Sequence, residues 1–283
     1  MRWRDERQSD NVEDQRGMSG RGLALGGGIG TVLLAVVALL FGVDPRAILN
    51  GGDSSPSQPG TTVSRPVNPA EDELKSFSSS VLASTEDVWT DIMRQNGQQY
   101  RMPKLVLYTG QVRSACGLSS AAVGPFYCPG DEKLYLDLSF FQELRARFHA
   151  PGDFAQAYVI AHEVGHHIQK LLGTMDKVDS MRERASETQA NALSVRLELQ
   201  ADFYAGVWAY YAQKRGLLEA GDLEEALRAA TAIGDDQLQK EAQGYVVPDS
   251  FTHGTSEQRM RWFKRGFDTG DIRQGDTFNI RSP

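Results

Sequence analysis

The chain has 283 residues, 40% apolar and 24% charged, enough to bury one sizeable core or two small ones. A formal charge of −7 and the lack of a dense Lys/Arg stripe argue against a nucleic-acid binder, whose footprint would be basic. The two cysteines, Cys116 and Cys128, form no CxxC pair, which argues against a cysteine zinc site.

Residues 1–21 are polar and mixed in charge, the composition of a flexible cytoplasmic tail. Residues 22–43 (GLALGGGIGTVLLAVVALLFGV) carry no charge and are long enough to cross a bilayer as one transmembrane helix. Arg2, Arg4, Arg7, Arg16 and Arg21 precede this run, while only Arg46 and Arg65 follow closely. That bias predicts a single crossing with the N-terminus in the cytoplasm and the remainder outside it. A cleaved signal peptide is the rival, but its apolar region would be shorter and no small-x-small site follows Val43. Residues 44–70, with five prolines among Ser, Gly and Thr, read as a linker. The globular domain is then residues 71–283.

Within it, Leu74 to Met93 has helical spacing, with Ser84-Thr85 as a break and N-cap. Lys104 to Thr109 and Lys133 to Phe140 read as strands. The Gly/Ser/Pro-rich stretch between them, residues 110–130, reads as a loop holding both cysteines. Outside the cytoplasm Cys116 and Cys128 could pair as a disulfide; two buried free thiols are the alternative. Helices are expected over 141–149, 153–173, 181–215, 222–243 and 256–267. Helices, a small sheet, then helices make an α+β fold, mostly helical, preceded by one transmembrane helix.

The chemistry lies in residues 155–173, AQAYVIAHEVGHHIQKLLG. His162-Glu163-x-x-His166 is an HExxH pattern, and spacing of four puts both imidazoles on one helix face, able to reach one tetrahedral zinc. Glu163 projects from the adjoining face, suited to take a proton from a water that the metal polarises. The flanking residues are apolar, so these polar groups point inward, and buried imidazoles need partners. Gly165, costly inside a helix, signals a close neighbour. His149 and His167 read as non-catalytic, His167 near the surface.

A third ligand is offered by LELQADFYAG, residues 197–206. Glu198 and Asp202 share a helix face, where like charges repel unless a cation compensates. Glu198 is the candidate zinc ligand, and Asp202 the acceptor for a ligand histidine's other N–H. Glu183 and Glu187 are weaker candidates. Ala201, Ala205 and Gly206 would let the two site helices approach closely.

HExxH followed by ExxxD is similar to the gluzincins, of which thermolysin is the best-known member. More closely, the chain resembles the bacterial predicted neutral zinc metallopeptidases with one N-terminal membrane anchor. The likeness runs through SDNVEDQRG, GPFYCPGDEKLYLDLSFF, AHEVGHHIQ, LELQADFYAG and HGTSEQRMRWFKRGFDTGDI. It implies a zincin-like fold, Zn2+, and a peptide or protein substrate cleaved on the extracytoplasmic side of the bacterial cell membrane. The segment around His253 resembles the THPxxxxR stretch of heat-shock and prenyl-protein-processing membrane peptidases, with Gly254 replacing the proline. His253 or Arg259 could then steady the oxyanion; Thr255 and Gln258 equally read as a capping box. Lys133 to Phe140 is the candidate strand for pairing with an extended substrate. A catalytically silent zinc scaffold and a zinc amidase acting on cell-wall material remain the alternatives.

Overall fold

The computed structural model describes residues 1–17 and 69–283. In chain order these are β1 (Val12–Asp14), α1 (Pro69–Gln95), β2 (Lys104–Tyr108), β3 (Gln111–Ser114), β4 (Gly117–Ser120), β5 (Phe126–Cys128) and β6 (Lys133–Asp137). Helices α2 (Phe140–Ala146), α3 (Asp153–Leu171), α4 (Thr174–Arg182), α5 (Glu187–Lys214), α6 (Asp222–Ala232), α7 (Asp235–Gln243) and α8 (Ser256–Thr269) follow. The fold is mostly helical with two small sheets. The larger has the order β1-β2-β6-β5, its first three strands parallel and β5 antiparallel to β6; β3 and β4 form a separate hairpin.

The expected fold class needs correction at its N-terminal end. Residues 1–17 are not a loose tail but part of the body. Val12, Glu13 and Asp14 pair with Leu105, Val106 and Leu107, Met1 and Trp3 are buried, and Trp3 packs edge-on against Phe77 at 5.5 Å. One body therefore holds the chain on both sides of residues 18–68. Among the described residues no helix is long and apolar enough to cross a membrane. The expected spanning segment, 22–43, lies outside the described residues, as does the linker up to residue 68. Pro69 and Ala70 already belong to α1.

Other boundaries moved for local reasons. Helix α1 runs unbroken through Ser84 and Thr85, both buried. Ser84 Oγ accepts the Trp208 indole N–H at 3.1 Å and Thr85 Oγ1 donates back to Leu82 O, so both buried hydroxyls are satisfied without ending the helix. The expected helix 222–243 divides at Gly234, which is extended. The expected helix 181–215 begins instead at a Ser186–Gln189 capping box. The strand expected to run to Phe140 stops at Asp137, whose carboxylate accepts the N–H of Gly110 and Ser139. The expected loop 110–130 contains the β3–β4 hairpin and β5, stapled by the Cys116–Cys128 disulfide.

Two close crossings position the site. A Cβ on Gly165 of α3 would lie 2.8 Å from the Ala201 carbonyl oxygen of α5, so glycine there lets the two helices touch. Gly206, expected at this same contact, instead faces Gly266 of α8: a Cβ on either would overlap the other helix's backbone. That second crossing sets Arg259 of α8 beside Asp202 of α5.

Candidate metal centre

Helix α3 is buried along most of its length, with Phe154, Tyr158, Val164 and Ile168 fully enclosed. His162 and His166, one turn apart on it, present their Nε2 atoms to Glu198 of α5. His162 Nε2 lies 3.1 Å from Glu198 Oε2 and His166 Nε2 lies 3.4 Å from Glu198 Oε1. Ligand atoms on a tetrahedron with metal bonds of about 2.0–2.1 Å stand about 3.3 Å apart. Each histidine-to-carboxylate distance falls near that value, and the two imidazoles and the carboxylate, their ligand atoms all within 4.8 Å of one another, form a group that could hold a metal ion.

Behind His162 lies a charged network. His162 Nδ1 is 2.8 Å from Asp202 Oδ1, which also accepts the Tyr158 hydroxyl at 2.5 Å. Arg259 donates Nε to Asp202 Oδ2 at 2.9 Å and Nη2 to Oδ1 at 3.0 Å. Burial works against the Asp202 charge, but Arg259 and His162 outweigh it and hold its pKa at about 2. Burial also works against the His162 imidazolium, which Asp202 and Glu198 nevertheless sustain to about 10 in the metal-free protein. Likewise Glu198, despite burial, is held well below the usual carboxylate range by His166 and His162. Arg259 is buried, with Nη1 on Ile233 O at 3.2 Å. Its Nη2 also donates to the Tyr158 hydroxyl at 3.2 Å, so Arg259 anchors Asp202 from within the protein.

Glu163 is partly buried, and burial pushes its carboxyl up from the usual range. It shares an apolar recess with Pro125, Leu136, Val159 and Ile160. His253 precedes α8, its side chain 27% exposed and its Nδ1 3.1 Å from Asp235 Oδ1. Asp235 is fully buried, and its Oδ2 accepts the backbone N–H of Thr252, His253 and Gly254 at 2.6–3.0 Å. Burial tends to lower the His253 pKa, but Asp235 and Glu198 raise it on balance.

Sequence reasoning missed Asp235, Tyr158 and Gln169; the last lies 2.9 Å from His166 Nδ1 through its Oε1. It also misplaced His167, which is fully buried. His167 Nδ1 faces the Tyr127 hydroxyl at 3.0 Å and Nε2 faces Arg101 O at 2.6 Å, tying β5 to α3. Nor is β6 a free edge, since it runs between β2 and β5; the outer strand beside α3 is β5. His149, Glu183 and Glu187 are exposed. Among the described residues, Asp153, Asp222 and Glu225 also cluster closely. There the Met1 ammonium contacts Asp153 at 2.6 Å and Asp222 at 3.4 Å, and Glu225 accepts Phe154 N–H, so the chain itself meets that charge.

Residues 1–278 match the model of a family described as "Putative neutral zinc metallopeptidase". The chain is 51% identical over 287 aligned residues to the uncharacterized protein YpfJ of Escherichia coli K12, covering 98% of this chain and 99% of that one. It is 40% identical over 259 to the uncharacterized protein Rv2575 of Mycobacterium tuberculosis, covering 86% and 85%. No solved structure matches. The full-length match, together with a ligand group of the kind such enzymes use, means that the chain belongs to this neutral zinc metallopeptidase family.

Proposed function

We propose that the protein hydrolyses peptide bonds with zinc held by His162, His166 and Glu198, and with Glu163 as general base. The observation that carries this reading is the convergence of the two imidazole Nε2 atoms on the Glu198 carboxylate, with Glu163 on the same helix as the two histidines. Bound zinc supplies Lewis acidity, which lowers the pKa of water toward about 7. Glu163 accepts the proton from that water and returns it to the departing amine; its raised pKa suits a group that must both take and give. His253, steadied by Asp235, donates toward the developing oxyanion. Asp202, pinned by Arg259, keeps His162 in one tautomer with Nε2 inward. An extended peptide pairs along β5, whose flank at Pro125 reaches the recess of Glu163. The Cys116–Cys128 disulfide supports an oxidising setting outside the cytoplasm.

The test compares Glu163→Gln with wild type, both full length and zinc-loaded, on a mixed peptide library. The variant should hold about one zinc per chain and lose about 10²–10⁴-fold in rate. Full activity in the variant would leave a zinc-containing scaffold as the better reading, with any observed cleavage due to a contaminant.

A further inference from the structure

The two histidines are backed differently. His162 leans on a carboxylate, whereas His166 leans on an amide, and the polarity of that amide follows from its surroundings. Gln169 is fully buried. Its Nε2 lies 2.6 Å from Leu197 O and 3.2 Å from Gln200 Oε1. A backbone carbonyl only accepts, so the Gln169 nitrogen must face it, and the oxygen must face His166. Gln200 is oriented in the same way, because its own Nε2 donates to Gly275 O at 2.8 Å. His166 must therefore donate Nδ1–H to Gln169 Oε1, which leaves Nε2 to face Glu198. The carbonyl that Gln169 holds belongs to Leu197, immediately before Glu198, so one side chain ties two candidate ligands together.

We infer that Gln169 is a positioning residue: it fixes His166 as the Nδ1–H tautomer with Nε2 toward the metal and locks that ring to the backbone carrying Glu198. The inference rests on the metal-centre reading above.

The test uses full-length protein and zinc alone, with affinity read by competition against a chelator. Gln169→Met keeps the volume but removes the acceptor, and should weaken zinc about 10–100-fold. Gln200→Met disturbs the same buried cluster but leaves the Gln169–Leu197 bond, and should keep wild-type affinity. In zinc-loaded wild type, ¹⁵N spectra of the imidazoles should show His166 ligating through Nε2, with a slowly exchanging proton on Nδ1. Ligation through Nδ1, or a rapidly exchanging proton there, overturns the inference without any variant and so decides the case should Gln169→Met fail to fold. Wild-type affinity in Gln169→Met also overturns it, as does a loss in Gln200→Met as large as in Gln169→Met, which would mark a packing effect. Wild-type protein that takes up no zinc would remove the metal-centre reading and this inference with it. Failure of Gln169→Met alone to weaken zinc removes only the inference.

Discussion

Arg259→Met offers a sharp test of how the site is held. The guanidinium is buried and makes two close hydrogen bonds to Asp202, which is wholly enclosed. Methionine keeps the aliphatic stem and deletes the charge, leaving a buried carboxylate with only Tyr158 and His162 as partners. Removing one member of a buried ion pair strands the other, at a cost of about 3–5 kcal/mol. Urea unfolding of the chelator-treated protein should show a loss of that size. The sign with pH is also fixed. Asp202 is held at about 2 against an ordinary 3.8, so its stabilisation is complete above the ordinary value and is lost as pH falls through 2. Without Arg259 the folded pKa rises, and the acid loss should begin at higher pH. In Arg259→Met/Asp202→Asn no charge is stranded, so the combined loss should be smaller than the sum of the single losses. A single variant within about 1 kcal/mol of wild type, or strict additivity, would refute the claim that this pair holds the site.

Three further outcomes are expected. Zinc must bind neutral imidazole, and His162 in the metal-free protein stays protonated up to about 10, so uptake at neutral pH should release a proton and strengthen as pH rises. Calorimetry in buffers of different ionisation enthalpy reads that release, and an affinity independent of pH would contradict it. Trp3→Ala should cost about 3 kcal/mol in urea unfolding if residues 1–17 belong to the core, and a loss under about 1 kcal/mol would detach them from it. Cys116 and Cys128 in protein taken from cells should react with a thiol reagent only after reduction; prompt labelling would oppose both the disulfide and the oxidising setting.

What was legible in the sequence follows the range of the interactions involved. His162, Glu163 and His166 are related by helix geometry alone, so spacing suffices, and the Glu198–Asp202 pair announces a cation by its own repulsion. The Thr255–Gln258 capping box is equally local, and it forms. Asp235 was not legible because it reads as one more acid in a polar helix start; only the fold brings it under Thr252–Gly254. Gln169 was hidden for a related reason. An uncharged amide in an HExxH helix carries no signal until its acceptor, Leu197 O, is known. Alternation identified β6 as a strand but could not give its place in the sheet, which depends on β5 and β2 flanking it.

The N-terminal error has an electrostatic cause that the ion pairs expose. The inferred orientation rested on arginines before residue 22 outnumbering those after it, as though each were free to choose a side of a membrane. In the folded protein three of these charges, on Arg4, Arg7 and Arg16, are already committed. Arg4 binds Glu73 at 2.6 Å, Arg7 reaches Glu86 and Asp87, and Arg16 bridges Asp14 and Asp72 at 2.8 and 3.1 Å. Their acceptors lie in β1 and α1, so the cluster that looked like a topogenic signal is the seam by which residues 1–17 join the domain. Ser9 and Asn11 add to the seam by donating to the buried carboxylate of Glu86. Exposed pairs contribute little individually, but here they flank a backbone ladder and the buried Trp3, and the ladder gives the segment its register. A charge count reads orientation only when the charges have no partners in the fold. For these arginines the partners in α1 lie more than fifty residues away in sequence, beyond the reach of any window that scores residues 1–43 by themselves.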